Sequence, residues 1–364
     1  MREHAPVLLA DVGSASVGAC IAELRESTPI LSQVKRVSLE NASGANTSAL
    51  GALARTALAE CLKGITTRPA AAHIVLAAPW YKATISVINF DSEKPSRISE
   101  STIEKALRSY EERTRKESPP GRRMIEAAVT EAYVNGYPTK LSEPLHGSSL
   151  ALDYYEAEAD EPFLEALEEE IHRAFPGIPV SFHSFLFSAF TVLRALRDET
   201  GFALLDIGGE ITDAAFVRKG GISFAGSFPS GERTFLRFLA GREGSLADAS
   251  SRATLFAKNE LSDAERDRFA PHFASAALEW NSGYHSLLEQ ASLETAIPHT
   301  TFIVADTEAA LWFTRVLASA DAPFPTRPVF VSRDFFKDSL LLGEGASYDA
   351  FLSIAAIHVL KIAK

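Results

Sequence analysis

Val7-Leu8-Leu9-Ala10-Asp11-Val12-Gly13-Ser14-Ala15-Ser16-Val17-Gly18-Ala19, near the start of the chain, has an echo close to its middle. That echo is Ala203-Leu204-Leu205-Asp206-Ile207-Gly208-Gly209-Glu210-Ile211-Thr212-Asp213-Ala214-Ala215. Each stretch reads as a buried apolar strand ending in Asp, an apolar residue and Gly, then a small-residue turn and a second apolar strand. A hairpin of this kind turns its backbone N–H groups into a cradle for a phosphate, and the aspartate can hold a metal-bound water. Glycine at the turn permits unusual dihedrals and the close approach of a ligand. One Asp-x-Gly turn alone is common in hairpins. Two in matching strand contexts predict a duplicated α/β core that clamps a nucleotide between its halves. The candidate phosphate-binding residues are Asp11, Gly13, Ser14, Ala15 and Ser16 in the first turn, and Asp206, Gly208, Gly209, Glu210, Thr212 and Asp213 in the second. Asp11 and Asp206 are the candidate magnesium residues, acting through water.

The doubled motif resembles the phosphate hairpins of the actin-like ATPase superfamily, which also holds the Hsp70 and sugar-kinase proteins. The segment between the hairpins narrows the resemblance. Ile125–Val134 reads as a strand and Asn135-Gly136 as a turn. Tyr137-Pro138 and Glu143-Pro144-Leu145-His146-Gly147 then lead to a strand at Ser148–Tyr155. This run is similar to the inserted subdomain of the FtsA and PilM proteins. Ser184-Phe185-Leu186-Phe187-Ser188-Ala189 resembles the helix leading into the family's second hairpin. Phe228-Pro229-Ser230-Gly231-Glu232-Arg233-Thr234 stands where FtsA and PilM proteins carry Pro-x-Gly-Gly, which adds Gly231 to the candidate site. The resemblance implies an α/β, actin-like (ribonuclease H-like) duplicated core. Its first lobe would cover 1–200 and contain a small α+β insertion at 84–180. A second lobe would cover 201–345, and a closing helix at 346–364 would pack back on the core. ATP with magnesium is the cofactor that the resemblance implies.

Three departures from the family pattern weigh against tight ATP binding. Actin-like proteins carry a Gly-Gly pair after the late strand, where backbone lies flat against adenine. Here the run is Ile303-Val304-Ala305-Asp306-Thr307-Glu308, and the Asp306 and Thr307 side chains would crowd the base. The ribose-contacting Ala-Glu-x-x-Lys stretch falls at Ala249-Ser250-Ser251-Arg252, without its acid. Glu210 occupies a turn position that is commonly small, and its charge would face a polyphosphate.

Composition bounds the alternatives. A chain of 364 residues with 46% hydrophobic and 23% charged content suits two cored lobes. A net charge of −11 argues against a nucleic-acid binder, which needs a basic face. Cys20 and Cys61 lack metal or disulfide spacing and read as small buried hydrophobes. The nine histidines are scattered, with no pair at helical or strand spacing suited to a metal. No signal peptide is expected after Arg2-Glu3-His4, and no segment reaches the roughly 20 apolar residues of a membrane span. Val180–Leu193 and Ala350–Leu360 are the longest apolar stretches, and the second is predicted to be a buried helix rather than a membrane-surface one. The acidic face Glu165, Glu168, Glu169 and Glu170 reads as solvated surface, with a docking face for a basic peptide as the sharper alternative. Arg113–Arg123, with Arg115, Lys116, Arg122 and Arg123, reads as a solvated loop, with contact to anionic lipid as the alternative.

These readings converge on a cytoplasmic scaffold of the FtsA/PilM kind, with weak or lost ATP binding. The resemblance implies a place at the inner membrane face, held there by the cytoplasmic peptide of a membrane-protein partner. It further implies a role in type IV pilus assembly or cell division, with self-association. An active actin-fold ATPase or small-molecule kinase is the alternative, which would require an intact adenosine site.

Overall fold

Unbroken apolar runs become inner strands, because a strand covered on both faces has no side for polar residues. The computed structural model describes residues 5–25, 27–39, 47–117, 119–139, 145–197, 199–241, 244–319 and 324–363. Strands β1 (Pro6–Val12), β2 (Ser16–Glu23) and β3 (Ile30–Ser38) form an antiparallel meander. Helix α1 (Thr47–Leu62) follows and buries Leu50, Ala54 and Leu58, four residues apart, together with Cys61. β4 (Ala71–Leu76) then pairs parallel to β1.

The chain next builds a separate antiparallel sheet. β5 (Tyr81–Ile98), β6 (Arg122–Val134), β7 (Tyr137–Thr139) and β8 (Leu145–Asp160) pair in the order β5-β8-β6-β7. Helix α2 (Glu100–Glu117) packs on β5. Its first turn is capped by Ser99, whose Oγ accepts from Thr102 N at 3.3 Å. Asn135 and Gly136 both take positive φ, 50° and 82°, which suits the tight β6–β7 turn. Glu143, Pro144 and Ser118 lie outside the described residues, as do the side chains of Arg115 and Lys116.

Helix α3 (Glu161–Ala174) returns the chain to β9 (Val180–Ser184), which pairs parallel to β4. The apolar run 180–193 is therefore not one element: it is β9 followed by helix α4 (Phe185–Leu196). β10 (Phe202–Ile207), β11 (Thr212–Arg218) and β12 (Gly221–Phe228) make a second meander. Helices α5 (Glu232–Ala240), α6 (Leu246–Ala257) and α7 (Asp263–Ser292) follow. β13 (Thr300–Val304), helix α8 (Thr307–Leu317) and β14 (Arg327–Phe330) complete that sheet, and β15 (Leu341–Leu342) joins the edge of β3. Helix α9 (Ala350–Ile362) closes the described chain.

The duplication is explicit in the pairing. The first sheet runs β15-β3-β2-β1-β4-β9 and the second β12-β11-β10-β13-β14. In each, three antiparallel strands in reverse order are followed by two parallel ones. The four-stranded sheet is inserted between β4 and β9 of the first. Helix α9 is buried from Leu352 through Leu360, lying against β1 and α4. No helix among the described residues is long and apolar enough to cross a membrane.

Candidate functional site

The two glycine turns have the same backbone closure. Gly13 N donates to Ser16 O at 3.1 Å, and Gly208 N donates to Ile211 O at 3.0 Å. They also meet. Ser14 Oγ accepts from Gly209 N at 3.0 Å and from Glu210 N at 3.3 Å, so the first turn satisfies the two amides that would cradle a phosphate in the second. The start of α5 is committed in the same way. Glu232 N and Arg233 N donate to Gly208 O and Gly209 O, both at 2.8 Å. Gly231 is there because nothing larger fits: a Cβ would stand 2.3 Å from Gly208 O. Arg233 bridges back to the first turn, donating to Ala15 O at 3.0 Å. Glu210 does not face open space, since Arg237 grips both its oxygens at 2.9 and 2.6 Å.

The floor of the first turn holds a residue that the sequence reading missed. Arg36 on β3 donates from Nη2 to Asp11 Oδ2 at 2.9 Å and from Nη1 to Ser16 Oγ at 2.8 Å. Its Nε and Nη2 also engage the two Asp349 oxygens at 2.6 and 2.9 Å. Gly18 on β2 leaves room for this fork, because a Cβ there would be 2.6 Å from Nη2. Burial opposes the guanidinium charge, but Asp349 and Asp11 outweigh it and hold the group firmly protonated. Asp349 also caps α9 through Leu352 N at 3.0 Å. A cationic side chain thus already stands beside the carboxylate expected to face magnesium.

Burial pushes the Asp11 carboxyl up to about 7, with Arg36 opposing and Asp349 adding to the rise. Asp206 is raised well above the usual carboxylate range, first by burial and then by Asp213, Asp11 and Asp306. The two turns therefore bring their acids into one another's field. Asp11 Oδ1 and Asp206 Oδ1 are buried without a hydrogen-bond partner among the described residues. Thr212 has a packing role: its hydroxyl donates to Ser230 O at 2.6 Å and accepts from Trp280 Nε1 at 3.3 Å. Asp306 is the N-cap residue of α8. Ala249-Ser250-Ser251-Arg252 lies in α6, with Ser250 Oγ donating to Glu308 at 3.0 Å.

Asp213 points to a measurable pH effect. It accepts from Tyr81 Oη at 2.9 Å, and burial raises its carboxyl to about 7 against the pull of that bond. An unfolded aspartate titrates near about 3.9. Between those values the folded state holds a proton that the unfolded chain has released, so this contribution to stability falls as pH rises. Asp213→Asn removes the slope while keeping an acceptor for Tyr81. Its stability relative to wild type is expected to rise by about 2–3 kcal/mol between pH 5 and pH 8. Parallel urea-derived pH profiles for the two proteins would contradict this.

A second feature lies away from the turns. A groove of about 900 Å³ runs between α1 and α3, lined by Gly51, Ala52, Trp80, Phe163, Arg55 and Arg173. Trp80 and Phe163 stack at 4.3 Å on its floor. The α3 acids are largely spoken for: Glu168 pairs with Arg123 at 3.0 Å, Glu169 with Arg55 at 3.7 Å, and buried Glu170 with Arg55 and Arg173. Among the described residues Glu165 is the one of the four with no such pair, and it is exposed. This leaves little of the acidic docking face that the sequence suggested.

Neither a scan against protein-family models nor a search of curated proteins gives a match. Solved structures do. PilM in the PilM–PilN type IV pilus biogenesis complex superposes with a TM-score of 0.64 at 16% identity, over 97% of this chain and 96% of that one. The ethanolamine utilization protein EutJ of Carboxydothermus hydrogenoformans gives 0.44 at 12% identity, covering 97% and 88%. An actin-like-fold protein of unknown function from Bacteroides thetaiotaomicron gives 0.40 at 10%, covering 98% and 97%. Repeated strand order, paired glycine turns and end-to-end superposition on PilM together give this chain the actin-like ATPase fold.

Proposed function

We propose that this protein is a scaffold of the FtsA/PilM kind with weak or lost nucleotide binding. It would work at the cytoplasmic face of the inner membrane, holding the cytoplasmic peptide of a membrane-protein partner during type IV pilus assembly or cell division. The observation that carries the reading is the Ser14 bridge: amides that should meet phosphate are already bonded to the opposite turn. Arg36 supports it by neutralising Asp11. The rival reading, an active ATPase or small-molecule kinase, draws on the orphaned oxygens of Asp11 and Asp206, which a hydrated cation would satisfy. In the scaffold reading, residues 1–200 with their 84–180 insertion and residues 201–345 form a clasped pair of lobes. Residues 346–364 then act as the closing helix.

The groove between α1 and α3 is the place for the partner. Its aromatic floor suits an apolar anchor, and Arg122 on its wall, bonded to the Glu158 carbonyl, favours a carboxylate beside that anchor, while Arg55 and Arg173 are committed to Glu169 and Glu170. Ala52 is exposed on the groove wall, so Ala52→Trp fills the space without disturbing the core. Calorimetry with synthetic cytoplasmic peptides of membrane proteins encoded beside this gene is the test. A binding peptide should lose at least about tenfold in affinity to the variant, roughly 1.4 kcal/mol. Unchanged affinity would remove the groove from the proposal, and no binding peptide at all would count against the scaffold.

A further inference from the structure

The histidines that lie scattered in the sequence meet in the fold. His73 on β4, His183 on β9 and His358 on α9 gather in the core with Glu126 of β6 beside them. His73 Nδ1 and His183 Nε2 are 3.1 Å apart, the His183 and His358 rings sit edge-to-face at 5.2 Å, and His183 Nδ1 is 3.8 Å from Glu126 Oε2. One donor atom from each of Glu126, His183 and His358 lies within 4.8 Å of the other two.

We propose that Glu126, His183 and His358 form a binding site for a divalent transition-metal ion, zinc above all, that pins α9 to the first sheet and to β6.

The tautomers argue for it. Thr191 has one hydroxyl proton, and it goes to Ser188 O at 2.8 Å. The 2.8 Å contact between Thr191 Oγ1 and His358 Nδ1 must therefore carry the histidine's proton, which leaves His358 Nε2 as a bare lone pair. That nitrogen is fully buried and has no hydrogen-bond partner among the described residues, the kind of orphan that folded proteins avoid. Coordination through His183 Nδ1 requires its Nε2 to carry the proton, and His73 Nδ1 can accept it, which puts the His73 proton on Nε2, a buried atom with no partner among the described residues. Both ring nitrogens thus have the outer partners that orient metal-bound histidines. Two imidazoles and one carboxylate are a zinc donor set, borderline in softness, and a poor one for magnesium or calcium. Bonds of about 2.0–2.1 Å place tetrahedral donors about 3.4 Å apart, so the three groups need close by only about 1–1.5 Å to seat the ion. A fourth position would be left to water. This site is distinct from the aspartates of the glycine turns.

Cobalt serves as the optical probe. Chelator-treated protein refolded with one equivalent of Co²⁺ should show the visible d–d bands of a tetrahedral site, bleached by Zn²⁺, and Zn²⁺ should raise the thermal midpoint. His358→Gln and Glu126→Gln should each weaken Zn²⁺ binding by at least about a hundredfold and abolish the thermal shift. Glu126 is partly exposed at the edge of the cluster, so its variant keeps the core packing intact. Wild-type protein with no visible band and no thermal shift would overturn the site, as would bands that persist in Glu126→Gln.

Discussion

Arg36→Ala is expected to destabilise the protein by about 3–5 kcal/mol at neutral pH, because it strips the partner from two buried carboxylates at once. Asp11 is 2% exposed and the Asp349 side chain 8%, so neither can recover its solvation when the guanidinium is gone. The Arg36 side chain itself is 20% exposed, which favours the lower half of that range. The loss is not purely one of charge. Arg36 also lies over the Phe351 ring at 5.0 Å, and Asp349 caps α9, so the closing helix loosens with it. Arg36→Lys keeps the charge but cannot span Asp11, Asp349 and Ser16 together, and should fall between wild type and alanine. Adding Asp349→Asn to Arg36→Ala should restore part of the stability, since that stranded charge disappears while the amide oxygen can still accept from Leu352 N. Asp11, held up to about 7 even beside Arg36, takes up a proton once the guanidinium is gone. Equilibrium urea unfolding of wild type, each single variant and the double variant makes the comparison. A single-mutant loss under about 1 kcal/mol, or strictly additive effects, would mean that the ion pairs contribute nothing net.

The fold was legible in the sequence where chemistry repeats locally. Asp11-Val12-Gly13 and Asp206-Ile207-Gly208 announce two hairpins because Asp, Gly and apolar runs have narrow backbone uses. Asn135-Gly136 marks its turn for the same reason, with both residues at positive φ. Where the reading fell short, the cause is distance along the chain. Arg36 and Asp349 are 313 residues apart, and nothing local in either announces the other. A faint signal existed: Asp349 directly precedes an apolar helix, which is a capping position, and Gly18 sits in a strand with no turn to justify it. The histidines failed likewise. Their meeting requires β4, β9 and α9 to be packed together, which spacing rules cannot see. Glu210 was read as a charge facing phosphate, whereas a helix still to come supplies Arg237 to neutralise it.

Mg-ATP is expected to bind no more tightly than the millimolar range, with turnover indistinguishable from buffer. Three costs combine. On the scaffold reading, Asp306 and Thr307 replace the flat backbone that would meet adenine, and losing that stacking removes about 1–3 kcal/mol. Opening the turns to a polyphosphate breaks the two bonds to Ser14 Oγ, each worth about 0.5–1.5 kcal/mol net. Arg36 must also release Asp11 before a hydrated magnesium can reach it, or remain and repel the metal. Even without that last term the sum is about 2–6 kcal/mol, a loss of roughly thirty- to twenty-thousand-fold against an intact clamp. Ser14→Gly separates these causes. It frees Gly209 N and Glu210 N while leaving Asp306 and Arg36 in place, so inorganic phosphate binding should strengthen more than ATP binding does. Calorimetric titration of wild type and Ser14→Gly with Mg-ATP and with phosphate provides the measurement. Micromolar binding to wild type that vanishes in Asp11→Ala and Asp206→Ala would show that the turns swing apart and that the clamp works. The orphaned oxygens of those two aspartates would then be the metal's seat, and the enzyme reading would displace the scaffold.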